Sequence, residues 1–155
     1  MKKIVLSVLL VAISFAAQAG IKDKKAKKAA TESMNAALTK VKTACGNAKL
    51  EGKIDWANWD TYKYEKLSGN KAKNEVIQAA GVLLEGVLGE VAELCKDADY
   101  KEELAKITTI AISGKADQTS SYVEFKLDGN TLGMALNADG YGSWKNKDLL
   151  KKVWE

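Results

Sequence analysis

The sequence of 155 residues predicts an α+β fold in which a layer of helices is followed by a small antiparallel sheet and a closing helix. Apolar residues recur every three or four positions as far as about residue 106, which is the period of an amphipathic helix. They then alternate every second position, as in half-buried strands. The change of period divides one domain into a helical half and a sheet half.

The first 19 residues have the pattern of an export signal. Lys2 and Lys3 precede an apolar run of 13 residues, and the small-residue pattern Ala17-Gln18-Ala19 follows it. A membrane anchor is the alternative, but a spanning helix needs about 20 apolar residues. We therefore expect residues 1–19 to be a signal peptide. Gly20 should then begin a single domain over 20–155 without a transmembrane segment. The expected location of this domain is the bacterial periplasm or the exterior of the cell.

Three helices are predicted in the order up, down, up, over residues 22–46, 55–67 and 71–97. The first has an apolar stripe and is followed by a Gly46-Asn47 stop signal. The second begins at Asp55, a capping residue type. The third is apolar over more than half of its circumference, which places it at the centre of the domain. Its interior glycines indicate that another element packs closely against it.

The two cysteines, Cys45 and Cys95, lie near the C-terminal ends of the two long helices. In an oxidising compartment an even cysteine count favours a disulfide, with two free buried thiols as the alternative. A disulfide needs Cα atoms within about 7 Å of each other. The two long helices should then run roughly parallel, with the 55–67 helix returning between them.

The second half of the chain predicts a three-stranded antiparallel meander over residues 107–113, 120–128 and 131–137. The turn Asp128-Gly129-Asn130 joins the last two strands as a hairpin. A short helix over 99–106 precedes the meander, and a helix over 144–154 closes the domain.

The composition argues against most enzymatic chemistry. There is no histidine and no arginine, so a Ser-His-Asp or Cys-His centre and a histidine-based zinc site are not expected. The glycine-rich loop 137–148 fails the ligand register of a calcium loop. An acidic group at the start of the 99–106 helix is interpreted as a helix cap. We expect no cofactor and no enzyme.

Charge gives little guidance about a partner. Removal of Lys2 and Lys3 leaves 22 lysines against 20 acidic residues, a net charge of +2, which does not favour nucleic acid. Five lysines lie together near the start of the mature chain, where they either contact an anionic surface or form a solvated helix start. They are Lys22, Lys24, Lys25, Lys27 and Lys28.

Aromatic residues supply the candidate binding site. Aromatic side chains are common anchors of protein interfaces, and the alternative is that Trp56 and Trp59 belong to the core. The candidates are Trp56, Trp59, Tyr62, Tyr64, Tyr141 and Trp144. We expect an exported, non-enzymatic protein-interaction domain that binds another exported protein, for example as an inhibitor or an immunity-type binder. A glycan- or small-molecule-binding protein is the alternative.

Overall fold

The computed structural model describes residues 3–61, 72–115, 123–137 and 147–155. These residues form the predicted α+β fold, in which two long helices cover one face of a four-stranded sheet. In chain order the elements are α1 Lys3–Cys45, β1 Glu51–Ile54, α2 Trp56–Asp60, α3 Lys73–Leu94, α4 Ala98–Lys106, β2 Thr109–Lys115, β3 Val123–Asp128, β4 Thr131–Asn137 and α5 Lys147–Lys151.

The two long helices, α1 and α3, run parallel. Cys45 and Cys95 form the predicted disulfide, with their Cα atoms 5.1 Å apart. At the opposite end, the ammonium of Lys73 lies 3.9 Å from the carboxylate of Asp23. Both pairs are 50 positions apart in the sequence, so the helices stay in register over their shared length. The predicted disulfide and the parallel arrangement are confirmed.

Helix α1 ends in a Schellman motif. Gly46 adopts a left-handed φ of 67°, and the N–H of Asn47 donates to the carbonyl of Lys42 at 2.9 Å. The buried Asn47 amide then donates to the carbonyls of Leu104 at 3.1 Å and Ile107 at 2.6 Å. The predicted stop signal is therefore correct. Its asparagine also links the end of α1 to the end of α4 through these hydrogen bonds.

The sheet corrects the predicted strand arrangement. Its order is β1-β2-β4-β3, with β2 parallel to both β1 and β4 and only β3 antiparallel. A three-stranded antiparallel meander is wrong in two respects, because β1 adds a fourth strand and β4 lies between β2 and β3. The hairpin at Asp128-Gly129-Asn130 is confirmed, with Gly129 at a φ of 54°.

Strand β1, which the sequence did not predict, directly precedes the predicted 55–67 helix. It passes beneath α1, where a Cβ on Gly52 would lie 3.1 Å from both Leu38 Cδ2 and Met34 Sδ. A larger side chain at position 52 would require the Leu38 and Met34 side chains to shift. The predicted 55–67 helix is reduced to the five residues of α2 within the described chain, and residues 62–71 lie outside it.

The core lies between the helices and the inner face of the sheet. Ile112, Leu132, Met134 and Leu136 are buried from the sheet side against the broad apolar face of α3. The outer face bears charged side chains on β1 and β3 and small residues on β2 and β4. No helix in the described ranges combines the length and apolar character that crossing a membrane requires.

The first helix, predicted over 22–46, spans Lys3–Cys45 and so begins 19 residues earlier than predicted. The predicted bounds of the other elements differ by a few residues. The third predicted helix, 71–97, is Lys73–Leu94, and the strand predicted over 107–113 is Thr109–Lys115. Strand β3 begins at Val123, and the positions 120–122 that were assigned to it lie outside the described residues. Helix α5 lies within the predicted 144–154.

Candidate functional site

The carboxyl ends of three parallel strands meet at one edge of the sheet. Ile54 ends β1 beside Ile112, while Lys115 and Asn137 end β2 and β4 as register partners. In open α/β sheets this edge is the usual place for ligand sites. The six aromatic candidates all belong to stretches of sequence that follow one of these strand ends. They are Trp56, Trp59, Tyr62 and Tyr64 after β1, and Tyr141 and Trp144 after β4.

Two hydrogen bonds join helix α2 to this edge, and a third caps the helix. The Asp55 N–H donates to the Ile112 carbonyl at 2.8 Å, which extends the β1–β2 pairing by one residue. The Asp55 carboxylate accepts from the Asn58 N–H at 2.9 Å and caps α2, as predicted. The Asn58 side-chain oxygen accepts from the Gly114 N–H at 2.8 Å. A helix of only five residues is thereby held in a fixed orientation.

The two tryptophans of α2 occupy different environments. Trp59 is 1 % exposed and belongs to the main core, so the alternative interpretation is correct for this residue. Trp56 is half-buried against the Ala26, Ala30 and Ile77 cluster and keeps part of its ring in solvent. The ring centroids are 6.4 Å apart and the planes tilted by 54°. Of this pair, Trp56 is the residue that a partner of the folded chain can contact.

A charged cluster surrounds the exposed side of Trp56. The Lys27 ammonium lies 2.9 Å from both carboxylate oxygens of Asp60 and 5.6 Å from the centroid of the Trp56 ring. Lys73 also binds the Asp60 carboxylate and approaches Asp23. Hydrogen bonds from Lys73 and then Lys27 lower the pKa of Asp60 from its ordinary value. These contacts join α1, α2 and α3 and fix the position of the indole.

The other four aromatic candidates, Tyr62, Tyr64, Tyr141 and Trp144, lie outside the described residues. The aromatic binding surface therefore stays a prediction, with Trp56 as its described member. The glycine-rich loop compared with a calcium site also lies outside the described residues, apart from its ends. Within the described residues, no group of three or more histidine, cysteine, aspartate or glutamate side chains is placed to hold a metal ion.

Comparison with protein-family models, with curated proteins and with solved structures finds no match to this chain.

Sequence reasoning did not identify Lys27, Asp60 and Lys73 as partners. The sequence places Lys27 among the N-terminal lysines, but in the structure Lys27 pairs with Asp60 and is half-buried, unlike the exposed Lys22 and Lys25. The available signal was its helical position, because Lys27 lies three residues before Ala30 and therefore next to the buried stripe of α1. Its partner Asp60 is 33 positions away, which no local pattern indicates.

A separate cavity of about 610 Å³ lies on the outer face of the sheet. Its lining includes Ser113, Gly133 and Ala135 from the two central strands, with Glu124 and Lys126 at one side. Its volume is within the range of small-molecule sites, about 300–1,000 Å³. The cavity is open to solvent and its floor has small side chains.

Proposed function

We propose that this chain is an exported protein whose mature domain is a non-enzymatic protein-interaction module in the periplasm or outside the cell. The Cys45–Cys95 disulfide supports the compartment, because such bonds form and persist in oxidising environments. The leader pattern over residues 1–19 supports the route. Intact-mass analysis of the exported protein tests this part of the proposal, and a mature chain that begins at Gly20 is the expected result.

The partial exposure of Trp56 on a fixed helix is the observation that carries the interaction role. Large aromatic side chains that are already ordered lose little conformational entropy on binding, and tryptophan is among the strongest interface anchors. Here the indole is held by Trp59 beneath it and by the Lys27–Asp60 ion pair beside it. An inhibitor or immunity-type binder of another exported protein would use such a preformed anchor.

The test compares the half-buried Trp56 with an exposed apolar side chain on another helix. Tagged protein, its Trp56→Ala variant and its Val82→Ala variant are each used to capture partners from periplasmic extract. Val82 is 62 % exposed on α3 and serves as the matched control. We expect one stoichiometric protein partner that is lost with Trp56→Ala and kept with Val82→Ala. Capture that is the same for all three proteins would contradict the proposed role of Trp56.

A second candidate function is the binding of a glycan or another small molecule. The cavity of about 610 Å³ on the outer sheet face favours it, because Ser113, Glu124 and Lys126 offer hydrogen-bonding groups around a floor of small residues. A glycan-array or metabolite-library signal that Glu124→Gln removes, together with no captured protein, would favour this function over the first.

A further inference from the structure

A second pocket lies between α4 and the last residues of the chain. Its volume is about 330 Å³. Tyr100 from α4 and Trp154 from the C-terminal segment form its aromatic part, with ring centroids 6.0 Å apart and planes tilted by 60°. Both rings are half-buried and pack against the main core. The pocket therefore has a floor that does not need to be ordered when a ligand binds.

The rim of this pocket is acidic. Glu102 and Glu103 on α4 share the ammonium of Lys106, at 3.4 and 2.7 Å. Hydrogen bonding to Glu103 is the main cause that raises the pKa of Lys106. Among the described residues, the lining has four carboxylates and a single ammonium, so their summed charge stays negative even when Lys106 is included. The carboxylates are those of Asp99, Glu102, Glu103 and Glu155.

A cation of the protein already lies on the aromatic part of the pocket. The Lys151 ammonium is 5.2 Å from the centroid of the Tyr100 ring, within the range of a cation–π contact. Lys151 is half-buried, and no carboxylate within 4.0 Å of its ammonium is found among the described residues. The ring face thus attracts an ammonium that has no direct ion pair. A ligand cation would make the same cation–π contact.

We propose that this pocket binds an alkylammonium group, supplied by a lysine side chain of a partner protein, in the place that the Lys151 ammonium occupies. The aromatic rings contact the alkyl chain and the ammonium, and the four carboxylates supply the complementary charge. This site is separate from the Trp56 surface and does not depend on it. A free diamine has the same chemistry, and the experiment distinguishes the two sources.

The experiment follows the indole N–H resonance of Trp154 by NMR. That nitrogen is enclosed and has no hydrogen-bond acceptor among the described residues, so its resonance reports on the ring environment. The probes are Nα-acetyl-lysine methylamide, cadaverine and the uncharged norleucine analogue of the first. We expect a saturable shift with the two amines and none with norleucine. Tighter binding of the lysine amide assigns the site to proteins, and tighter binding of cadaverine assigns it to free amines.

Two variants separate binding at this pocket from general attraction to a negative surface. Lys151→Met removes the internal ammonium and should tighten lysine-amide binding about two- to fivefold, the range of one exposed cation–π contact. The neighbouring exposed Lys152→Met removes the same charge without freeing the ring and is the matched control. If the two variants change amine affinity equally, only the net charge of the surface matters, and the proposal is overturned.

The carboxylates are tested by the double variant Asp99→Asn/Glu102→Gln, which changes two exposed side chains and should lower the thermal midpoint only slightly, through the first turn of α4 and the Glu102–Lys106 ion pair. Weaker amine binding is the expected result, and Asp128→Asn, an exposed acid in the β3–β4 turn, should have no effect. The absence of any saturable shift with both amines in the unmodified protein would exclude the site. That outcome would leave the proposed role of Trp56 unaffected, since it is tested separately.

Discussion

Ala30 of α1 and Gly81 of α3 lie in direct contact between the two long helices. A Cβ built on Gly81 would lie 3.0 Å from the Ala30 Cα and 3.2 Å from its Cβ. Real side-chain contacts are rarely this short, so the absence of a side chain at position 81 sets the distance between the helices. The contact lies between the Asp23–Lys73 ion pair and the Cys45–Cys95 disulfide.

Two glycine substitutions in α3 should therefore have opposite effects. Gly89→Ala adds a methyl group where no atom lies within 4 Å, so it should raise the free energy of unfolding by up to about 1 kcal/mol through helix propensity. Gly81→Ala gains the same propensity but forces α1 and α3 apart, and it should lower the free energy of unfolding by about 1–2 kcal/mol. Urea denaturation of the two variants measures both effects. An increase for both would mean that the helices are not in close contact at Ala30.

The disulfide should be a main source of stability. It links residues 50 positions apart, and the chain-entropy model assigns a loop of this length about 4 kcal/mol, with measured values more often about 2–4 kcal/mol. Reduction of the native protein and the Cys45→Ala/Cys95→Ala variant should both lower the free energy of unfolding by that amount. Thiol labelling of the unreduced, denatured protein provides the control, since two reactive thiols would contradict the bond.

The helical half of the fold could be predicted because its signals are local. The apolar stripe of α1, its end at Gly46 and the broad apolar face of α3 all follow from a period of 3.6 residues. The parallel arrangement of the two helices followed from one further constraint, the required distance between Cys45 and Cys95.

The order of the strands could not be predicted because it depends on distant contacts. Strand β1 has only four residues, and its partners in β2 lie 58 positions later in the chain. Glu51, for example, pairs with Thr109. A short strand that precedes a helix has the same local pattern as a loop. Likewise, the alternation in β2 and β3 predicted two strands but gave no information that β4 lies between them. At the candidate site, the exposure of Trp56 and the burial of Trp59 depended on the distant residues of α1 and α3 that pack around them.

Replacement of the buried amide of Asn47 should weaken the junction between α1 and α4. Its N–H groups donate to the carbonyls of Leu104 and Ile107, and alanine would remove both hydrogen bonds from the interior. The Leu104 carbonyl would keep its bond from the Ile107 N–H at 3.3 Å. Loss of such bonds is expected to lower the free energy of unfolding by about 2 kcal/mol. Asn47→Asp should be more destabilising above pH 5, because a carboxylate has no proton to donate to these carbonyls. Denaturation curves of both variants at neutral pH and at about pH 4 measure the difference. An Asn47→Ala variant as stable as the unmodified protein would contradict this role.

The ion pairs of Asp60 should make stability depend on acid pH. Lys73 and Lys27 lower its pKa in the folded state below the ordinary value of 3.8. The unfolded chain therefore binds the proton more readily, and the stabilisation is complete above pH 3.8 and lost as the pH falls through the folded pKa. The difference in unfolding free energy between the unmodified protein and Asp60→Asn should be constant from neutral pH to about pH 5 and shrink below about pH 4. In a Lys27→Met/Lys73→Met background, the change in unfolding free energy caused by Asp60→Asn should not shrink at acid pH. A constant difference in the unmodified background would contradict the assignment of the pKa shift to these two lysines.

Trp56 and Trp59 should separate binding from stability. Trp59 is 1 % exposed, and its replacement by alanine should lower the free energy of unfolding by about 3–5 kcal/mol. Trp56 has part of its ring in solvent, so Trp56→Ala removes less buried area and should lower the free energy of unfolding by less than about 2 kcal/mol.

If the exposed part of the indole is the partner's anchor, Trp56→Ala should weaken partner binding by about 2 kcal/mol or more, roughly thirtyfold. Calorimetric titration with the captured partner, beside urea denaturation of the same samples, measures the two quantities independently. Trp56→Phe keeps an aromatic ring on the Lys27 ammonium and should retain most of the stability while losing part of the affinity. Unchanged partner affinity in a folded Trp56→Ala variant would show that Trp56 serves only to pack α2 against α1 and α3, and the partner would then have to bind elsewhere.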